Sequence, residues 1–153
     1  MLMEITKASM ADVEGMKALI EVYARQDKML ARSLSYLYDN IRDYFVMCDG
    51  GLLVGCCALH VCWSDLAEIK SLAVHPERQN QGVGRGLLAA AISEAKAMGI
   101  PRVFTLTREP EFFLRNGFRE VGKDKLPMKI WGECVMCPKY PECDETALEY
   151  LVT

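Results

Sequence analysis

Gln79-Asn80-Gln81-Gly82-Val83-Gly84-Arg85-Gly86 stands between two stretches of different texture. Before it, residues 68–74 (EIKSLAV) read as a strand that His75-Pro76 stops. After it, Leu87, Leu88, Ala91, Ala95 and Met98 recur at helical spacing, and Gly99 stands where a C-cap glycine belongs. Pro101 follows, then a β-branched and aromatic strand at residues 103–106. Strand, glycine loop, helix and strand make a βαβ unit, so the two flanking strands are expected to be parallel. Glycines at alternate positions leave main-chain N–H groups uncovered and admit phosphate oxygens closely. A helix start adds unpaired donors and a positive end worth about half a charge. Arg78 and Arg85 flank the loop and add local charge. A glycine turn alone would serve as a flexible connection, but a strand before and a helix after favour anion binding. Neither the Lys-Ser/Thr of a Walker loop nor the spacing of a dinucleotide fingerprint is present.

Outward from this unit, the preceding sequence reads as an antiparallel meander. Residues 2–6 form a short strand, and Ser9 with Asp12 resembles a capping box. Val13, Met16, Ile20 and Tyr23 then follow at helical spacing. Arg32-Ser33 precedes a second helix carrying Leu34, Leu37, Tyr38 and Ile41. Asp49-Gly50-Gly51 is a hairpin turn between strands at residues 44–48 and 52–61, because these residues tolerate positive φ. On the far side, residues 111–116 form a short helix ended by Gly117, residues 118–121 begin a last hairpin, and residues 148–152 look strand-like. The class is α+β, a mixed central sheet of six to seven strands with about four helices.

With 153 residues, 51% of them hydrophobic and 25% charged, the chain fits one globular domain, with a core over about residues 3–122 and a cysteine-bearing segment over about 123–153. The net charge of −3 argues against nucleic-acid binding through bulk positive charge. The longest apolar stretch, residues 52–63, falls short of the roughly 20 residues a bilayer requires. The acidic amino terminus has no signal-peptide character, so a cytoplasmic protein with reduced thiols is expected. Cys48, Cys56, Cys57 and Cys62 lie in strand-like sequence as small hydrophobes. Cys134, Cys137 and Cys143 supply three soft ligands, one short of a closed zinc site. Plain thiols or a redox pair are the alternatives, and no metal is assigned.

LAVHPERQNQGVGRGLL resembles the acetyl-coenzyme A motif of the GNAT acyltransferase superfamily, with Gln79, Gly82 and Gly84 filling its Q/R-x-x-G-x-G/A core. Phe112-Phe113-Leu114-Arg115-Asn116-Gly117-Phe118 resembles that superfamily's second signature. The resemblance implies a GNAT fold and an N-acetyltransferase that takes acetyl-coenzyme A as co-substrate. It places the diphosphate on the loop from Gln81 through Gly82, Val83, Gly84 and Arg85 to Gly86, with Gln79, Phe113 and Arg115 nearby. The pantetheine arm would run between splayed parallel strands along Leu72, Ala73 and Val74, and the Leu72 amide would polarise the thioester carbonyl. Glu68 would be the base or water relay that deprotonates the acceptor amine. Phe113 occupies a slot where many GNAT enzymes carry a tyrosine general acid, so either coenzyme A leaves as a thiolate or another donor, such as Tyr36 or Tyr38, supplies the proton.

The stretch 27–33, with 55–60, 68–76 and 104–107, is similar to the acetyltransferase domain of N-acetylglutamate synthases. That similarity implies acetyl transfer to L-glutamate, giving N-acetylglutamate, the first step of arginine biosynthesis. Arg32 would grip a carboxylate with Ser33 nearby, Ser71 and Thr107 would add hydrogen bonds, and Lys129 would be the second cation, since a desolvated carboxylate needs a partner. Synthases of the longer kind carry an amino-acid-kinase-like domain that senses arginine, and this sequence is expected to be a short stand-alone form. The partners implied are small molecules and, by superfamily habit, a second copy in a homodimer. The rival readings are an acetyltransferase for another amino acid, a polyamine or a protein amino terminus, and a non-catalytic acyl-coenzyme A sensor.

Overall fold

The computed structural model describes residues 3–126 and 145–152. Its strands are β1 (Glu4–Lys7), β2 (Tyr44–Asp49), β3 (Leu52–Trp63), β4 (Leu66–Val74), β5 (Arg102–Thr107), β6 (Arg119–Glu120) and β7 (Thr146–Leu151). Its helices are α1 (Val13–Ala24), α2 (Leu34–Asp39), α3 (Val83–Ala97) and α4 (Pro110–Arg115). The strands form one sheet in the order β1-β2-β3-β4-β5-β7-β6. Neighbours are antiparallel except β4 and β5, the expected parallel pair. The mixed α+β architecture is therefore the one the sequence implies.

Strand periodicity sorts the core onto two faces. Phe45, Met47, Cys57, Leu59, Ala67 and Ile69 pack with Val83, Leu87, Leu88, Ala91 and Ala95 of α3. Tyr44, Val46, Cys56 and Ala58, one step out of phase, pack with Val13, Met16, Ile20 and Leu37 of α1 and α2. Gly55 lets α3 approach the sheet closely, since a Cβ there would meet Val83 Cγ1 and Leu87 Cδ1, each at 2.7 Å. Burial pushes the Cys56 thiol up to about 12 and raises that of Cys57 as well, so both stay protonated core groups.

β7 lies between β5 and β6, with Ala147 and Leu148 buried. The strand-like stretch expected at residues 148–152 thus falls largely in β7, inside the sheet. Its Glu149, 4% exposed, receives Arg102 Nη2 at 2.9 Å and Arg119 Nη2 at 2.7 Å, tying three strands together. Burial alone would raise the Glu149 carboxyl, but the hydrogen bonds from Arg119 and Arg102 outweigh it and hold it below the usual carboxylate value of 4.5. A carboxyl depressed on folding adds stability above its unfolded value, and that stability is lost as pH falls through the folded value. Glu149→Ala is expected to cost about 2–3 kcal/mol at pH 7. Below pH 4.5 it should lose less further stability than the unmodified chain does, as urea unfolding across pH will measure.

Candidate active site

β4 and β5 pair only over Leu66–Glu68 and Arg102–Phe104, and then part. At the fork Thr105 Oγ1 donates to the Ile69 carbonyl at 3.1 Å, so a side chain takes over from the main-chain ladder. Just beyond, between the pairs Ala58–Lys70 and Cys56–Ala73, one residue of β3 (Cys57) faces two of β4 (Ser71 and Leu72), which is a bulge. Ser71 sits in it at φ +53°, a left-handed conformation costing a non-glycine residue roughly 1–2 kcal/mol. The bulge switches faces: Ala67 and Ile69 pack toward α3, whereas Ala73 packs toward α1 and α2. Strain of this kind is retained where a site depends on it.

The fork opens into a cleft of about 1180 Å³, lined by residues 68–74 of β4, the glycine loop, Thr105, Leu106 and Thr107 of β5, Phe112, Phe113, Arg115 and Asn116, and Lys28, Met29, Leu30 and Arg32 between α1 and α2. That volume exceeds the roughly 300–1,000 Å³ typical of a single small-molecule site, which suits two ligands at once. Among the described residues the lining carries Lys28, Arg32, Lys70, Arg78, Arg85 and Arg115 against Glu68, Glu109 and Glu145, an anion-attracting surface on an acidic chain.

At one end Gly82 precedes α3 at φ +82°, the conformation glycine adopts freely. The first helical bond runs from Gly86 N–H to the Gly82 carbonyl at 2.9 Å. The amides of Val83, Gly84 and Arg85 come before that bond and belong to the helix's donor end. Gly84 brings the loop against its neighbours, since a Cβ there would lie 3.3 Å from the Phe112 ring and 3.5 Å from Val74 Cγ2. Gly86 lies one residue further on, within the helix. Its amide is spent inside the helix, it does not line the cleft, and its missing side chain admits Ile5 and Met47 at 3.2 and 3.3 Å from where a Cβ would stand. Gln81 is exposed and also lies off the lining.

Gln79 is held by a residue the sequence does not single out. Gln79 Nε2 donates to the Tyr23 hydroxyl at 2.7 Å, and that hydroxyl donates to the Val74 carbonyl. The tyrosine joins α1, the end of β4 and the glycine loop. Tyr23→Phe is expected to raise the KM for the ligand held by this loop about 5-fold with little change in kcat, a loss of the size of one hydrogen bond. Arg78 is likewise anchored, with Nη1 at 2.7 Å from Asp49 Oδ2 on β2.

At the opposite end Glu68 is 4% and Lys70 9% exposed, with Lys70 Nζ 3.9 Å from Glu68 Oε1. Lys70 Nζ donates to the Tyr36 hydroxyl at 3.3 Å, and the Arg32 guanidinium stands 4.3 Å from the centre of the Tyr36 ring. Arg32, Ser71 and Thr107 all line the cleft. The Ser71 and Tyr44 hydroxyls are hydrogen bonded at 3.1 Å, and burial keeps the Tyr44 phenol protonated by raising it. Thr107 Oγ1 accepts the Glu109 amide at 2.9 Å. Ser33 is elsewhere: its Oγ caps α2 by accepting the Tyr36 amide at 3.0 Å, and it does not line the cleft. Phe113 lines the cleft but is mostly core, edge-on to Phe112 and Phe118 at 5.2 Å each. Tyr38 is exposed, and neither it nor Tyr36, whose hydroxyl accepts from Lys70 Nζ, lines the cleft. Lys129, Cys134, Cys137 and Cys143 lie outside the described residues. Among the described residues no group of three metal-ligating side chains occurs, and no helix is long and apolar enough to cross a membrane.

Residues 8–118 match the acetyltransferase (GNAT) family. Over 144 residues the chain is 40% identical to an uncharacterised N-acetyltransferase of Chlorobaculum tepidum, covering 94% of this chain and 93% of that one. It is 35% identical over 139 residues to an amino-acid acetyltransferase of Mycobacterium tuberculosis, covering 89% and 78% of the two chains. The N-acetylglutamate synthase of Neisseria gonorrhoeae, solved with coenzyme A and N-acetyl-glutamate, superposes with a TM-score of 0.91 at 30% identity. All of this chain is covered by that match, and 36% of the synthase.

Proposed function

The chain belongs to the acetyltransferase (GNAT) family, and we propose that it moves the acetyl group of acetyl-coenzyme A to the α-amine of a small acidic amino acid, with L-glutamate as acceptor and N-acetylglutamate as product. One observation carries this reading: a single cleft joins helix-start amides, a forked parallel strand pair and a buried carboxylate among cations. The relatives that act on amino acids or bind N-acetyl-glutamate support the class of acceptor.

Acetyl-coenzyme A supplies an acyl carbon already activated as a thioester. The groups of this chain that suit it are the amides of Val83, Gly84 and Arg85, with Gln79, Arg78 and Arg115, for the diphosphate. The edge of β4 at Leu72, Ala73 and Val74, which β5 no longer covers, suits the pantetheine arm. The Leu72 amide, inside the bulge, is assigned to polarise the acyl carbonyl. Glu68 is assigned the proton of the acceptor; the amine's C–N bond to the acyl carbon then replaces the C–S bond, and coenzyme A leaves as a thiolate. An α-amine is mostly ammonium at pH 7 and cannot attack until that proton leaves, directly to a base or through one water. Arg32 takes the acceptor's side-chain carboxylate, and Ser71 and Thr107 supply hydrogen bonds. Lys129 is carried from the family resemblance as a further cation for the acceptor.

Thiol release from acetyl-coenzyme A, followed with a panel of amines, tests the reading. Glutamate or aspartate is expected to outpace neutral and basic amino acids and polyamines. Fastest release with a polyamine or a peptide amino terminus would overturn the acceptor assignment, and no release with any amine would leave a binding protein.

A further inference from the structure

Every acceptor considered above carries an amine, and the base alone does not tell one amine from another. What separates an α-amino acid from a polyamine or a peptide amino terminus is a carboxylate on the same carbon as the amine. The nitrogen and the carboxyl carbon of such a molecule lie about 2.5 Å apart, as the bond lengths around Cα dictate. A site selective for that group therefore needs an acceptor for the ammonium and a cation for the carboxylate at short spacing.

Resting on the proposed function, we infer that Glu68 and Lys70 form this receptor: Glu68 faces the α-amine and Lys70 holds the α-carboxylate of the acceptor. The two residues are i and i+2 on β4, so they share a face of the sheet. Both line the cleft and both are almost fully buried, with their charged atoms 3.9 Å apart. Apolar residues would fill a buried strand position at lower cost than a charged pair, so this pair marks a place where charge is used.

Tyr36 fixes the arrangement of cations around it. Its hydroxyl accepts from Lys70 Nζ at 3.3 Å, and its ring lies under the Arg32 guanidinium at 4.3 Å and within 5.9 Å of Lys70 Nζ. Two cations set by one ring divide the two carboxylates of an acidic amino acid: Lys70, beside the base, takes the one next to the amine, and Arg32 takes the one on the side chain. Neither sequence motif contains Lys70, and its role follows from its place beside Glu68.

The test uses the full chain and three acceptors: L-glutamate, L-isoglutamine, whose α-carboxylate is an amide, and L-glutamine, whose side-chain carboxylate is an amide. The unmodified chain is expected to prefer glutamate to isoglutamine by about 100-fold in kcat/KM, because the amide brings no negative charge to the buried Lys70 ammonium. Lys70→Met is expected to bring that ratio to within about 3-fold while the preference for glutamate over glutamine persists; Arg32→Ala is expected to do the reverse. Lys70→Arg, which keeps the charge, is expected to restore the preference over isoglutamine. These are ratios within one variant, so a general loss of folded protein cancels. Comparable rates on glutamate and isoglutamine in the unmodified chain, or an unchanged ratio in Lys70→Met, overturn the inference while leaving glutamate acetylation intact. Failure of the unmodified chain to acetylate any acidic amino acid instead overturns the proposed function itself.

Discussion

Glu68→Gln is expected to lower kcat by about 10²- to 10⁴-fold, the range over which a positioned general base contributes, with the KM for acetyl-coenzyme A nearly unchanged. Glu68 is 4% exposed and stands on the strand that borders the fork, so glutamine fits the space and keeps a hydrogen-bonding oxygen. What it removes is the capacity to take a proton. The acceptor ammonium then depends on solvent to lose that proton, and the deficit should narrow as pH rises toward the ammonium's own pKa. A deficit that stays constant with pH, or a loss that falls on acetyl-coenzyme A binding, would assign Glu68 a structural role in its pair with Lys70.

Gly84→Asp carries the second large effect, and it falls on binding. A Cβ at this position would sit 3.3 Å from the Phe112 ring and 3.5 Å from Val74, so the side chain is forced out over the loop. There it lies beside the Val83 and Arg85 amides and brings a negative charge to the place assigned to a diphosphate. A weakening of acetyl-coenzyme A binding by at least about 100-fold is expected from the lost approach and the like charge together. Gly84→Ala keeps the neutral surface and is expected to weaken binding far less, which separates the charge from the added bulk. Calorimetric titration of each variant with coenzyme A reads both numbers.

Local chemistry was legible in the sequence and long-range side-chain partnerships were not. The glycine loop, the helix after it and the parallel pair around it follow from spacing alone, because each is written within a few turns of chain. The two sheet faces leave no such trace, because residues 44–47 and 56–59 are apolar throughout and only the packing sorts them. The bulge at Ser71 left no mark, since EIKSLAV reads as an unbroken strand and only pairing against β3 reveals the extra residue. Tyr23 reads as an apolar helix position, yet its partner Gln79 lies 56 residues on. Asp49 reads as a turn former, yet it anchors Arg78 across 29 residues. Lys70 reads as the polar side of a strand, and the fold makes it a buried neighbour of Glu68 and Tyr36. Ser33 shows the opposite case. A serine just before Leu34 carries a plain N-cap signal, and its hydroxyl caps α2. Gly86 sits in the loop motif, but one residue past the last amide that precedes the helix's own bonding.

The account stands on main-chain amides at the start of α3 holding the coenzyme's diphosphate, and the amide spectrum of a ¹⁵N-labelled chain tests it most directly. Saturating coenzyme A is expected to shift the Val83, Gly84 and Arg85 signals strongly and the Gly86 signal less, while pantetheine, which lacks the diphosphate, leaves them in place and binds at least about 100-fold more weakly. Signals at Val83–Arg85 that ignore coenzyme A, or equal affinity for the two ligands, would contradict it.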